Sequence, residues 1–371
     1  MDESFRNNPF TPNFGQVPMH MAGRSFLLEE MKRAFESPVR DPNLSTILIG
    51  ARGTGKTALL SCLASEAEQR GWISVSTTAF PGMLEDVFEQ ALRRGAEFLD
   101  GKDAPRLKGV SVGQAFGLEW ENQPERTLNW RSRMTDVLEA FAEHDVGLLI
   151  TVDEVEPRLD EMIQLVAVYQ HFVREDRKVA LLMAGLPHKV SGLISGKSTS
   201  FLRRACQHRL ARIEDYEVES AFRQTVEFSQ KKIGDKALER AAKAIKGFPF
   251  MMQLVGFRSW QFSGERESVS LEDIEQGAAM AENDMKMRVL RPTLDDLSER
   301  DLEFLGAMLV DPGSSTPADI ATRLGRSASH VSTYKRRLLD QGVIQQSGRS
   351  KVEFALPMLR EYLPEYLESC L

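Results

Sequence analysis

Gly50-Ala51-Arg52-Gly53-Thr54-Gly55-Lys56-Thr57 is the stretch that decides the fold of this 371-residue chain. Its spacing is G-x-x-x-x-G-K-T. The apolar run Leu44–Ile49 before it predicts a strand, and the periodic run Lys56 to Arg70 after it predicts a helix. That strand–loop–helix order is the context in which the motif carries meaning. Glycines let a backbone curl until successive N–H groups point inward as an anion nest, and the helix N-terminus adds partial positive charge. In such a nest Lys56 is expected to bridge the β- and γ-phosphates of a nucleotide, and the Thr57 hydroxyl to ligate Mg²⁺.

A second element lies about 100 residues downstream. Val146 to Val152 is an apolar strand that ends in Asp153-Glu154. Asp153 is expected to hold the Mg²⁺ shell, and Glu154 to orient and polarise an attacking water. Strand and helix patterns alternate around these two motifs. Strands are expected at Trp72–Thr78 and Val179–Ala184, and helices at Ser25–Phe35, Leu84–Leu99, Leu128–Ala142 and Leu159–Arg174. Nearly continuous apolar strands alternating with helices predict a parallel sheet covered on both faces. Between Gly101 and Asn122 the periodicity lapses, and Val110–Val112 with Ala115–Trp120 is expected to form an inserted hairpin. Residues 1 to 20, with Pro9, Pro12 and Pro18, read as an extended arm.

Composition bounds the class. Hydrophobic residues at 42% and charged residues at 27% suit a globular chain and exclude wholesale disorder. With 47 Lys and Arg against 54 Asp and Glu, the net charge is −7, which does not suit a nucleic-acid coating protein. Cys62, Cys206 and Cys370 lie far apart, without metal spacing, and point to a reducing, cytoplasmic setting. The polar N-terminus does not read as a signal peptide, and the apolar runs are far below the roughly 20 residues that span a bilayer.

After about Leu202 the strand pattern stops. Val218–Lys232, Lys236–Lys246, Pro249–Phe262 and Leu271–Met287 read as helices, the last started by a Ser270/Asp273 capping box. Arg291-Pro292-Thr293 is expected to break the pattern. The division expected is therefore an ATPase core over residues 1–204, a helical lid over 205–291, and a third unit over 292–371. In that unit Ser298 and Thr316 cap two helices, Gly325 ends the second, a third runs from Ala328 to Asp340, and a turn at Ser347-Gly348 suggests a β-wing.

These residues resemble the AAA+ ATPases, in the branch that holds origin-recognition-type initiators, STAND signalling ATPases and the archaeal-ATPase clade. Ala22-Gly23-Arg24-Ser25-Phe26-x-x-Glu29 is similar to the box that lies against the nucleotide base in those families. Val179 to Pro187 resembles their fourth core strand and its following turn. Phe201-Leu-Arg203-Arg204 resembles the segment where relatives carry an arginine finger, and Gly247-Phe-Pro249 the G-x-P lid motif of STAND proteins. The resemblance spans residues 15 to 260. It implies an α/β P-loop NTPase with a helical lid, ATP or ADP with Mg²⁺ as cofactors, and a nucleotide set of Gly23, Arg24, Gly50, Gly53, Thr54, Gly55, Lys56, Thr57, Ala58 and Pro249. The catalytic set it implies is Lys56, Asp153, Glu154, Arg203 and Arg204, with Thr57 and Asp153 on the metal. An arginine finger implies head-to-tail homo-oligomers, since one subunit completes the next one's site. Ala184-Gly185 stands where a sensor Asn, Ser or Thr is usual, and the turn at Gly247–Phe250 lacks an arginine, both of which imply slow hydrolysis or a binding switch.

The last unit resembles the winged helix-turn-helix that ends origin-recognition-type proteins. Residues 323 to 351 hold seven basic side chains against the single acid Asp340, inside an acidic chain. Ser329, His330, Thr333, Arg336 and Arg337 on the third helix, with Arg349 and Lys351 at the wing, are the candidate DNA contacts. The expected function is an ATPase whose nucleotide state controls assembly or conformation on DNA. The alternative is a STAND-type signalling or defence switch acting on a protein partner. No membrane role is expected.

Overall fold

The computed structural model describes residues 8–13, 15–37, 41–99 and 124–369. The expected hairpin between 110 and 120, and Cys370, lie outside these.

Helix α1 (Ser25–Glu36) leads through a 3₁₀ turn at Pro42–Leu44 into β1 (Ser45–Ile49). The core continues with α2 (Lys56–Glu68), β2 (Trp72–Thr78), α3 (Met83–Arg94), α4 (Ala96–Leu99), α5 (Pro124–Ala142), β3 (Gly147–Asp153), α6 (Asp160–Arg174), β4 (Val179–Gly185), α7 (Pro187–Ser195) and β5 (Cys206–Arg209). All five strands pair in parallel in the order β2-β3-β4-β1-β5. Strand β4 is buried at every residue, and β3 at all but its last. One sheet face packs Leu48, Leu149 and Leu182 against α1 and α2; the other packs Ile47, Ile150 and Leu181 against α3, α5 and α6. Two apolar layers thus cover the sheet, and its carboxyl edge stays open for the loops that follow β1 and β3.

Three expectations are corrected. The strands do not stop at Leu202, because β5 pairs with β1, Arg209 opposite Ile49, and extends the sheet past residue 204. Its four residues, Cys-Gln-His-Arg, are polar and half exposed, so an edge strand with one partner leaves no apolar signature. The helix expected over 84–99 divides at Gly95. A Cβ there would sit 2.3 Å from the Phe141 ring, so α5 occupies the space a continuous helix would fill.

The third correction lies at Arg291-Pro292-Thr293, where the backbone stays helical. After α8 (Asp215–Phe228), β6 (Lys232–Ile233), α9 (Asp235–Ile245), α10 (Pro249–Ser263), β7 (Ser268–Val269) and α11 (Leu271–Met285), a π-type turn at Lys286–Leu290 passes into α12 (Arg291–Asp295). The wide turn, in which Arg291 N–H reaches back to Lys286 O, accommodates a proline that lacks the donor an α-helix would need.

The chain ends with α13 (Glu299–Met308), α14 (Pro317–Leu324), α15 (Ala328–Asp340), an antiparallel hairpin of β8 (Ile344–Ser347) and β9 (Lys351–Phe354), and α16 (Leu359–Ser369). Ser298 and Thr316 cap their helices as expected, and Gly325 closes α14 at φ +59°. One apolar cluster runs through the lid helices into this last unit, from Phe222 and Trp260 through Leu290 and Leu294 to Phe304 and Tyr362. Packing therefore continues across the boundary expected at residue 291.

Candidate nucleotide site

Strand β1 feeds directly into the phosphate loop. Gly53 and Gly55 take φ of +76° and +84°, the left-handed region that other residues enter only at a cost of about 1–2 kcal/mol. A Cβ at Gly50 would come within 2.5 Å of Thr54 Oγ1, and that hydroxyl donates to Ala51 O at 2.9 Å. The loop is therefore folded on itself, with Gly55 as the N-cap of α2. The unpaired amides of the first helical turn, at Lys56, Thr57 and Ala58, open there onto the sheet edge.

Lys56 is only 6% exposed, and its Nζ donates to Gly50 O at 3.1 Å and Ala51 O at 2.9 Å. Burial lowers its pKa; Glu154 and then Asp153 pull the other way, and Arg52 adds to the lowering. The two carboxylates thus act directly on this ammonium. Thr57 Oγ1 donates to Asp153 Oδ2 at 2.5 Å, so the two expected metal ligands meet. A hydroxyl with one carboxylate is a hard-oxygen pair that suits Mg²⁺, which keeps most of its sites for water and phosphate. Among the described residues no cluster of three or more His, Cys, Asp or Glu side chains forms a competing metal cage.

Glu154 has φ +57°, and its N–H is held by Asp153 Oδ1 at 3.0 Å. A glutamate in this region is strained, which locates the strain at the proposed base. The sharp turn sends Val155 N–H to Ala184 O at 2.9 Å and seats Val155 on Gly185, where a Cβ would lie 2.5 Å from it. The Ala184-Gly185 pair thus makes room for this turn.

Gly23 and Arg24 lie at the junction of core and lid. Gly23 has φ +65°, and a Cβ on it would meet Glu217 Oε2 and Ile213 Cγ2, each at 3.0 Å. Arg24 donates to Gly23 O and Ala211 O, both at 3.1 Å; burial lowers its pKa and Glu217 opposes that. Gly247 reaches the same segment, its carbonyl accepting from Ile213 N–H at 2.9 Å. At φ +71°, a Cβ there would strike Ile213 O at 2.4 Å. Pro249, two residues on, lies 3.6 Å from where a Gly55 Cβ would be, so the start of α10 touches the phosphate loop. Arg203 and Arg204 stand exposed on the 3₁₀ turn Ser200–Arg204, with Arg203 Nε donating to Ile194 O at 3.3 Å.

In the C-terminal unit, Ser329 and Thr333 are exposed and linked by Thr333 Oγ1 donating to Ser329 O at 3.2 Å. The His330 ring lies 4.7 Å from that of Tyr334. Arg336, Arg349 and Lys351 are exposed, the last two on the hairpin. Arg337 is also exposed, but its Nε lies 3.3 Å from Asp301 Oδ2, a carboxylate with no solvent exposure. Arg323 likewise grips Asp311 with two hydrogen bonds of 2.7 Å and holds that carboxyl well below the usual carboxylate range. Two further contacts carry no sequence signal. Arg52, at a free position of the phosphate-loop motif, packs under Gly342, and His188 of α7 lies 3.0 Å from Asp340 of α15.

Among the described residues no helix is long and apolar enough to cross a membrane. Residues 20–183 match the family model described as AAA ATPase domain, and residues 287–363 one described as a domain of unknown function (DUF8462). No curated protein matches the chain in sequence. Among solved structures, the Walker-type ATPase paby2304 of Pyrococcus abyssi is similar at 14% identity and TM-score 0.62, over 93% of this chain and 96% of that one. The Aeropyrum pernix ORC2 protein in its ADP form is similar at 12% identity and TM-score 0.56, over 97% of each chain. Its ADPNP-ADP complexes give 13% identity and TM-score 0.51, over 96% of each. At these identities the likeness is one of fold, and it runs the length of the chain. The phosphate loop, the Asp153-Glu154 strand end and the family match over residues 20–183 together identify that stretch as an AAA ATPase domain, set in a chain whose fold is that of P-loop ATPases.

Proposed function

We propose that the chain binds ATP with Mg²⁺, hydrolyses it slowly, and uses the nucleotide state to control its conformation or assembly on DNA. The observation that carries the reading is the convergence of Lys56, Thr57, Asp153 and Glu154 at one sheet edge. Lys56 and the loop amides would neutralise the phosphates, Thr57 and Asp153 would hold the metal, and Glu154 would align the water. When bound, Mg²⁺ would offset the charge that develops on the transferred phosphoryl group. Arg203 and Arg204, both exposed, would act on a neighbouring subunit in a head-to-tail homo-oligomer. The reading divides the chain into an ATPase core, a helical lid and a winged helix, with the core extended through β5. Ser329, His330, Thr333, Arg336, Arg349 and Lys351 would face DNA, while Arg337 serves the packing of its own unit. Calorimetry with ATP and Mg²⁺, followed by a phosphate-release assay, tests the core of this; no heat and no release would sink it.

One observation favours a second reading, a STAND-type switch acting on a protein partner. Pro249 of the lid rests against Gly55 of the phosphate loop, so closure of the lid and occupancy of the loop would be linked. Gel filtration with ADP and with a non-hydrolysable ATP analogue separates the two. A nucleotide-dependent oligomer that ignores DNA supports the switch.

A further inference from the structure

The C-terminal unit is seated on the ATPase core. His188 Nε2, in the first turn of α7, lies 3.0 Å from Asp340 Oδ1 at the end of α15. The turn after α15 rests on the phosphate loop, where a Cβ at Gly342 would fall 3.2 Å from Arg52 Nε. Around these contacts run two clefts, of about 490 Å³ and 640 Å³. In the larger, Ser332, Lys335 and Arg336 of α15 face Glu156, Arg158 and Lys189 of the core. Asp340, the one acid of the basic segment, is thus the residue that meets the core.

This seat borders the C-terminal end of the face of α15 that a duplex would need, from Ser332 and Arg336 to Asp340, while Ser329 and Thr333 stay exposed. A recognition helix enters a major groove about 12 Å wide, with a phosphate backbone on each side. With α7 in contact with Asp340, and residues 156–158 across the cleft from Ser332 and Arg336, the core stands beside the path that one of those backbones would take. We propose that the ATPase core is an internal competitor for α15: the seated unit is masked, and duplex binding requires α15 to leave α7. The proposal rests on the DNA reading given above. Because Arg52 belongs to both the phosphate loop and the seat, release of α15 also changes the surroundings of the nucleotide site, and linkage makes that effect reciprocal.

The test uses the full chain and two variants outside the nucleotide and DNA sets. His188→Ala removes the ring packed against Asp340 without altering the charge of α15. Ser191→Trp places a bulky ring in the smaller cleft, where Ser191 is an exposed lining residue. The readouts are anisotropy of a labelled mixed-sequence duplex of about two helical turns at low salt, and amide exchange across 187–195 and 328–340. Both variants are expected to bind the duplex roughly fivefold or more tightly than the parent. Duplex added to the parent is expected to speed exchange in α7 while slowing it in α15. Faster exchange in α7 of the variants with no gain in duplex affinity overturns the masking while leaving the DNA reading in place. Unchanged α7 exchange in both variants removes the seat as a restraint. Absence of duplex binding by parent and variants alike, with α7 uncovered, removes the DNA reading itself.

Discussion

The Thr57 hydroxyl donates to Asp153 Oδ2 across 2.5 Å, joining the start of α2 to the end of β3 from positions 96 residues apart. The contact is a direct result of strand order, because β4 is the only strand between β1 and β3 and both end at the same sheet edge. Asp153→Asn keeps the shape and removes the charge. It is expected to abolish the effect of Mg²⁺ on ATP affinity while leaving metal-free ADP binding within about threefold. Titration of nucleotide with and without the metal checks this, and an undiminished Mg²⁺ effect would remove Asp153 from the metal shell.

Lys56→Ala takes away the ammonium held across the loop by Gly50 O and Ala51 O. Affinity for ATP should fall by at least about a hundredfold, roughly the 3 kcal/mol expected of a strong charge-assisted contact. Calorimetry reads the loss directly, and binding within tenfold of the parent would count against the phosphate-loop assignment.

Glu154 offers a separation of stability from activity. Its φ of +57° is strained for glutamate, so Glu154→Gly should stabilise the fold by up to about 1 kcal/mol while turnover disappears. Glu154→Gln keeps the strain and should bind ATP normally with turnover reduced on the order of a hundredfold or more. Thermal melts and phosphate release together decide. A destabilised glycine variant would refute the strain argument, and equal turnover by the glutamine variant would refute the base.

Gly247→Ala is expected to cost about 2–4 kcal/mol, since φ +71° is unfavourable to alanine and the added methyl meets Ile213 O at 2.4 Å. Chemical denaturation measures the loss. A cost below about 0.5 kcal/mol would mean that the turn is free to move.

Arg336 and Arg337 are adjacent and should behave oppositely. Arg336 is exposed and unpaired among the described residues, so Arg336→Ala should lower duplex affinity and reduce the salt slope by about 1. Arg337 compensates Asp301, whose Oδ1 is buried without a hydrogen-bond partner. Arg337→Ala should therefore cost about 1–3 kcal/mol of stability and leave the salt slope unchanged. A salt slope altered by Arg337→Ala alone would reverse these assignments.

The phosphate loop, its flanking strand and helix, the Asp153-Glu154 strand end and the capped helices Leu271–Met285, Glu299–Met308 and Pro317–Leu324 were legible in the sequence. Each depends on residues within one turn or one strand of each other, and local spacing determines local geometry. Strand β5 was not legible, because four polar residues at a sheet edge gain their structure from β1 and carry no periodicity of their own. Nor was the passage through Pro292, which depends on a π-type turn whose cost is offset by the apolar cluster around Leu290 and Leu294. The tertiary structure alone decided that Gly23-Arg24 and Gly247-Phe-Pro249 meet at Ala211–Ile213, that Arg337 pairs with the buried Asp301, and that His188 and Arg52 receive the C-terminal unit. Such pairings join residues far apart in the chain, and the burial and sterics that select them exist only after the layers have packed.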